Sequence, residues 1–307
     1  MATPVHYTTP EEGLITQRTM EGALVREVEF VELFKDDVRK LTEALGVTRK
    51  LPVTAGTTLK VLKAQGSLGD GEVPEGQLIP LSNYAVDAEA VGEINLMKHR
   101  KATSAESIVR FGFEQAVVMT TDKMRKDVQK LIRQYFYGSL ADFATKVKYV
   151  GETGNFDLQT ALASLWGGLQ IKYEDTSIEG VYFANPMDVA DYLASAQIST
   201  QTAFGMSYVE NFLGIGTLIL SSDVDVGSVY ATAKENLVLY YIPVNGADLG
   251  NAFNFTADET GLIGIHEEPD YKTMTAEDVV VYGISLFVER ADGVLMTDGT
   301  QPDGSAS

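Results

Sequence analysis

The 307-residue chain contains no cysteine, which excludes disulfides, thiol nucleophiles and thiolate-held metal sites. Histidine is nearly as scarce. His6, His99 and His266 are the only three, and none stands in an H-E-x-x-H or paired spacing, so a zinc site has no support. Each is read as a structural or exposed side chain. No run approaches the roughly 18 apolar residues of a membrane span. The opening MATPVHYTTPEEGLITQRTMEGA has neither the basic start nor the apolar centre of a signal peptide, and the expectation is a chain made and kept in the cytoplasm. Positive charge is thin in one half only. Residues 151–307 hold 4 of the 24 Lys and Arg against 23 of the 43 Asp and Glu, whereas residues 1–150 balance 20 against 20. Sequence-independent affinity for nucleic acid comes from Lys and Arg displacing counterions. The second half is therefore not expected to bind DNA or RNA directly.

Catalytic signatures are missing too. There is no G-x-S-x-G nucleophile elbow. Gly214 and Gly216 in LGIGTLIL suggest a nucleotide loop, but a strand pattern follows where a phosphate needs a helix N-terminus. Asp223 and Asp225 in SSDVDVG lack the closing glutamate of a calcium loop and read as a turn. Glu267 and Glu268 are a carboxylate pair without a visible cleft. The expectation is no enzyme, no cofactor and no metal.

Apolar residues make up 45% of the chain and charged residues 22%, the balance of a folded globular protein. Residues 1–30 have weak periodicity and suggest an extended arm. EFVELFKDDVRKLTEALG then spaces Phe30, Leu33, Phe34, Val38, Leu41 and Leu45 as an amphipathic helix, with Gly46 to stop it. The β-like runs TLKVLKA and AVGEINLMKHR enclose QGSLGDGEVPEGQLIPLS, Gln65 to Ser82. Together they make a long hairpin-like excursion from about Leu51 to Arg100. Its Leu68, Val73, Leu78, Ile79 and Leu81 are too many for a solvated linker. They require cover, either from another chain or by folding back as a lid.

Thr120, Thr121 and Asp122 start the longest predicted helix, DKMRKDVQKLIRQYFYGSLADFA. Met124, Val128, Leu131, Ile132, Tyr135 and Phe136 form its apolar stripe. Lys123, Lys126, Lys130 and Arg133 form a basic face, open to solvent or to an acidic neighbour or nucleic acid. Further on, NFDLQTALASLWGGLQIKYE reads as a helix capped by Asn155 or Asp157, with Leu158, Ala161, Leu162, Leu165, Trp166 and Leu169 on one side. GVYFA is a buried strand, and NPMDVADYLASA a helix opened by Asn185. LGIGTLILSS, SVYATA and LVLYYIPV are strands, and DVVVYGISLFVER is one long strand.

The order of a Gly-rich hairpin with EGQLIPLS, then KHRKATSAESI, the long basic helix, VYFANPMDVADYL, QISTQTAFGMSYVENFLGIGTLILSS, VYATAKENLVLYYIPVNG and DETGLIGIH resembles the major capsid proteins of tailed bacteriophages of Gram-positive bacteria. The resemblance covers about residues 10 to 295. It implies an α+β chain of the Hong Kong 97-type capsid fold: an N-terminal arm and short helix over 1–48, an extended β-hairpin loop over 51–100, a peripheral domain from 101–150 and 266–295 with the spine helix, an axial domain over 151–265 and a flexible tail over 296–307. DVVVYGISLFVER becomes the long strand of the peripheral domain.

The implied function is structural. Pentamers and hexamers assemble in the host bacterial cytoplasm into an icosahedral head enclosing double-stranded DNA without sequence-specific binding, with a separate scaffolding protein and a portal as partners and no membrane. Leu68, Val73, Leu78, Ile79 and Leu81 become inter-subunit contacts of the extended loop. Lys60 and Lys63 lie in that loop, but no local motif marks either for the covalent crosslinking seen in some relatives, and none is expected. An encapsulin-like compartment enclosing a protein cargo is the alternative on the same fold.

Overall fold

Apolar residues recurring every three or four positions wind the first helix, α1 (Gln17–Leu45), and the left-handed Gly46 (φ 65°) stops it. The Val47 N–H donates to the Thr42 carbonyl at 2.8 Å and the Gly46 N–H to that of Glu43 at 3.0 Å, the paired bonds of a Schellman stop. A Cβ on Gly46 would lie 2.5 Å from Cδ of Lys234. Gly46→Ala is therefore expected to lower stability by about 1–2 kcal/mol, read from urea unfolding. The computed structural model describes residues 17–300 except 48, 153–155, 175–177, 196–199, 247–248 and 250–251, and not the side chains of 17–25, 61–65, 89–91, 191–195 and 203.

After α1 come β1 (Arg49–Pro52), the arm strands β2 (Thr57–Ser67) and β3 (Asn83–Ile94), and β4 (Met97–Ser104). Then α2 (Ala105–Phe111) and one π-helical turn (Glu114–Val118) run into α3 (Met119–Phe143), followed by β5 (Thr145–Lys146) and α4 (Leu158–Tyr173). The chain continues through β6 (Gly180–Ala184), α5 (Pro186–Ser195), β7 (Gln201–Ala203), β8 (Met206–Phe212), β9 (Gly216–Leu220), β10 (Val229–Ala233) and β11 (Leu237–Tyr241). It ends with β12 (Thr256–Ala257), β13 (Ile263–Asp270), β14 (Thr275–Tyr282), β15 (Ile284–Val288) and β16 (Val294–Thr297).

A seven-stranded mixed sheet, β5-β16-β10-β6-β9-β8-β7, has β6 near its centre. All five β6 residues are buried because both faces are covered. Tyr182 and Ala184 share one core with Leu162, Leu165 and Leu169 of α4. Val181 and Phe183, on the other face, join Phe34 of α1 and Phe136 and Tyr137 of α3. That second core continues through Ile263, Ile265, Val280 and Tyr282 of a four-stranded sheet, β12-β13-β14-β4. A three-stranded sheet, β1-β11-β15, and the β2-β3 arm complete the chain.

Several expectations change. Residues 1–16, with His6, lie outside the described residues, as do Asn155 and 301–307. Residues 17–30 are helical, not extended, because the good helix formers Met20, Glu21, Ala23, Leu24 and Glu27 outweigh Gly22 and the β-branched Thr19, Val25 and Val28. Leu33 and Tyr135 of the expected stripes are exposed, whereas Val31 and Ala44 are buried. Trp166 is 39% exposed. The long strand DVVVYGISLFVER is two strands, since Gly283 carries the chain from the four-stranded to the three-stranded sheet and its carbonyl accepts from Ile242 N–H at 2.7 Å. A Cβ there would meet Ile242 at 2.6 Å. The expected boundary at 265/266 falls inside β13. Met296 and Thr297, expected in the tail, instead complete β16, paired with β10.

Candidate assembly surface

The arm is an antiparallel ladder running from Thr57↔Ile94 at its foot to Ser67↔Asn83 at its end. Its foot is anchored, with Leu59 and Ile94 buried and Leu59 packed on Phe287. Between Leu59↔Gly92 and Lys60↔Ala90 the register shifts, leaving Val91 as a bulge. Beyond the bulge, residues paired across the ladder share a face, so Gly66, Tyr84, Val86 and Ala88 lie together and Ser67, Asn83, Ala85 and Asp87 lie opposite. One face is apolar and the other polar. Tyr84 and Val86 are both exposed on the apolar one.

Among the described residues, the loop from 68 to 82 is tied down by its own bonds: Glu72 N–H to Asp70 Oδ1 at 3.0 Å, Gly69 N–H to Ser82 Oγ at 3.1 Å and Gln77 N–H to the Pro74 carbonyl at 3.1 Å. Leu68, Leu78, Ile79 and Leu81 are 80%, 95%, 73% and 96% exposed, and Val73 is half-buried. The arm has not folded back as a lid. Its three charges, Asp70, Glu72 and Glu75, are all negative.

On the face of the four-stranded sheet turned away from α1 lies an apolar cavity of about 490 Å³, lined by Leu96, Leu249, Phe253, Phe255, Val279 and Val281. Lys98, His266 and Glu268 also line it. Strand alternation puts Val279 and Val281 here, while Val280 and Tyr282 enter the core behind them. The sequence reading missed this cavity because its walls come from four separate stretches of chain.

The basic face of α3 is partly dismantled. Lys123, Lys126 and Lys130 are exposed, but Lys123 pairs with Asp127 and Lys126 with Asp122, at 2.7 Å for the latter. Arg133 does not belong to that face. It turns inward, donates to the Phe204 carbonyl at 2.6 Å and lies 3.5 Å from Asp223. Asp223 is thus spent on Arg133 and the Ser221 hydroxyl. Glu267 and Glu268 alternate to opposite faces of β13, and His99 stacks on Tyr282 at 5.7 Å. Among the described residues, no group of three or more His, Asp or Glu could hold a metal, and no helix is long and apolar enough to cross a membrane.

No protein-family model matches the sequence, and no curated protein matches it significantly. Solved structures do. The capsid of cyanophage A-1(L) superposes with a TM-score of 0.51 over 86% of this chain and 93% of that one, at 12% identity. The chain has the α+β fold of a phage capsid protein. A chain of Microbacterium phage Oxtober96 superposes at TM-score 0.50, 9% identity and coverage of 85% and 90%. An encapsulin complex from Synechococcus elongatus also matches, at TM-score 0.46 and 15% identity over 99% of this chain and 95% of that one.

Proposed function

We propose that the chain is the major capsid protein of a tailed phage of a Gram-positive host, of Hong Kong 97 type, forming pentamers and hexamers that close around double-stranded DNA. It assembles in the host cytoplasm with a scaffolding protein and a portal and resides in the virion. The observation that carries this reading is the arm: strands of 11 and 12 residues project an apolar tip that its own chain leaves bare. Many modest contacts, repeated at every copy, suit a closed shell, and an arm that orders on contact adapts to different symmetry positions. The peripheral domain then consists of α1, α3 and the four-stranded sheet. The axial domain consists of the seven-stranded sheet with α4 and α5, and includes β5 and β16.

Negative-stain microscopy with mass photometry of the purified chain, alone and with a candidate scaffold, tests this. Closed shells or rings of five and six are expected. A persistent monomer in both samples ends the reading, and shells that enclose protein instead of nucleic acid favour the encapsulin-like alternative.

The cavity on the four-stranded sheet is the proposed seat of a neighbour's arm tip. It is apolar like Leu78, Ile79 and Leu81. The absence of cysteine makes the test clean. Gln77→Cys with Asn254→Cys is expected to give disulfide-linked oligomers that neither single variant gives. Intact shells without crosslinks reject the seat and leave the capsid reading standing.

A further inference from the structure

A row of buried charges ties α1 to the four-stranded sheet. Where β12 stops, the Glu267 N–H on the edge of β13 has no strand partner and donates to Glu27 Oε1 at 2.6 Å. The other Glu27 oxygen accepts from the Thr256 hydroxyl, and Glu27 is 3% exposed. Next to it, Arg26 lies 4.7 Å over the Phe113 ring and donates to Glu267 Oε2. Glu267 is the ladder neighbour of Asp278, and Asp278 of Lys101. Lys101 reaches Asp278 at 2.7 Å, and Thr121 of α3 donates to the same carboxylate.

The row holds three buried or nearly buried carboxylates, Glu27, Glu267 and Asp278, against two cations, Arg26 and Lys101. The row thus holds one more carboxylate than it holds Arg and Lys side chains. Glu267 Oε1 is buried without a hydrogen-bond partner, so a proton there removes the charge and leaves Oε2 free to accept from Arg26. Burial pushes the Glu267 carboxyl above its ordinary value, Arg26 pulls it back, and the Asp278 and Glu27 charges add to the rise. His266 stands at the end of the row, 3.8 Å from Glu27 and 3.7 Å from Glu268. Arg100 and Glu277 pair on the far face of the sheet, and His99 is held against Tyr282.

We propose that seating α1 on the sheet takes up a proton at Glu267, so that mildly acidic solution holds the start of the helix more tightly than alkaline solution. The sign follows from linkage. A carboxyl that binds its proton more tightly with the helix seated contributes most below its ordinary value and loses that contribution as pH rises through the raised one. The capsid reading plays no part in this inference.

Hydrogen exchange of the full chain, corrected for intrinsic rates, tests it at about pH 5 and about pH 8.5. Amides of residues 26–30 are expected to be severalfold better protected at the lower pH, while those of 38–45 change little. Glu267→Gln, neutral and of the same shape, is expected to hold the acid level of protection at both values. Equal protection of the unaltered chain at both values overturns the proposal. So does a Glu267→Gln chain that keeps the pH dependence, or a His266→Gln chain that loses all of it.

Discussion

Deletion of residues 66–80 is expected to leave a folded chain that no longer forms stable shells. The deletion removes the loop and the outermost pairs of the arm, but the ladder from Thr57↔Ile94 to Gln65↔Ala85 and the buried foot at Leu59 and Ile94 are untouched. Circular dichroism should therefore match that of the full chain. Assembly should not survive. Each aliphatic side chain covered on association contributes about 1.5–3 kcal/mol, and Leu68, Leu78 and Ile79 are bare in the single chain. Losing all three removes roughly 5 kcal/mol or more per contact, against association costs of at least 4 kcal/mol. Replacing the three with serine is expected to act in the same direction with the loop backbone in place. Shells from the deleted chain that match the full-length ones by microscopy and mass photometry would remove the arm from the assembly mechanism.

Phe183→Ala is expected to cost about 3–5 kcal/mol, a large part of the 5–15 kcal/mol typical of a folded domain. Phe183 is fully buried at the centre of the seven-stranded sheet. Its ring meets Phe136 edge-on at 5.5 Å and Tyr137 at 5.7 Å, which joins α3 to the sheet. Truncation leaves a cavity at the junction of both layers. Thermal and urea unfolding measure the loss, with Leu33→Ala on the exposed side of α1 as a control expected within about 0.5 kcal/mol of the unaltered chain. A loss below about 1 kcal/mol for Phe183→Ala would show that the α3 contact does not hold the sheet in place.

Elements with strong local signals were legible without coordinates. The α3 helix, the Asp157 cap accepting from Thr160 N–H at 2.9 Å, and the Asn185 cap accepting from Met187 N–H at 2.9 Å all follow from residues within one turn of each other. The arm shows as two β-like runs flanking a loop rich in Gly and Pro, but its ladder spans 57–94 instead of the expected 51–100, because Leu51 and Pro52 pair with β11 and residues 97–100 with β14. The misread places have a common cause. DVVVYGISLFVER is uniformly β-forming, and only Ile242 packed against Gly283 shows where one sheet ends and another begins. Arg133 repeats at the spacing of the exposed lysines, yet its partners, Phe204 and Asp223, lie 71 and 90 residues away.

The sequence by itself determined that the chain has no cysteine, that its acidic excess lies wholly in residues 151–307, and that the loop of its β-hairpin is apolar and acidic. These are properties of composition and short-range spacing, which the chain carries before it folds. Tertiary structure alone decided that this loop is left bare by its own chain, that an apolar cavity forms on the four-stranded sheet, and that Glu27, Glu267 and Asp278 share one buried row with Arg26 and Lys101. Burial and charge balance at a point depend on every segment that meets there, and β4 and α1 join the β13–β14 hairpin across some 170 to 240 residues.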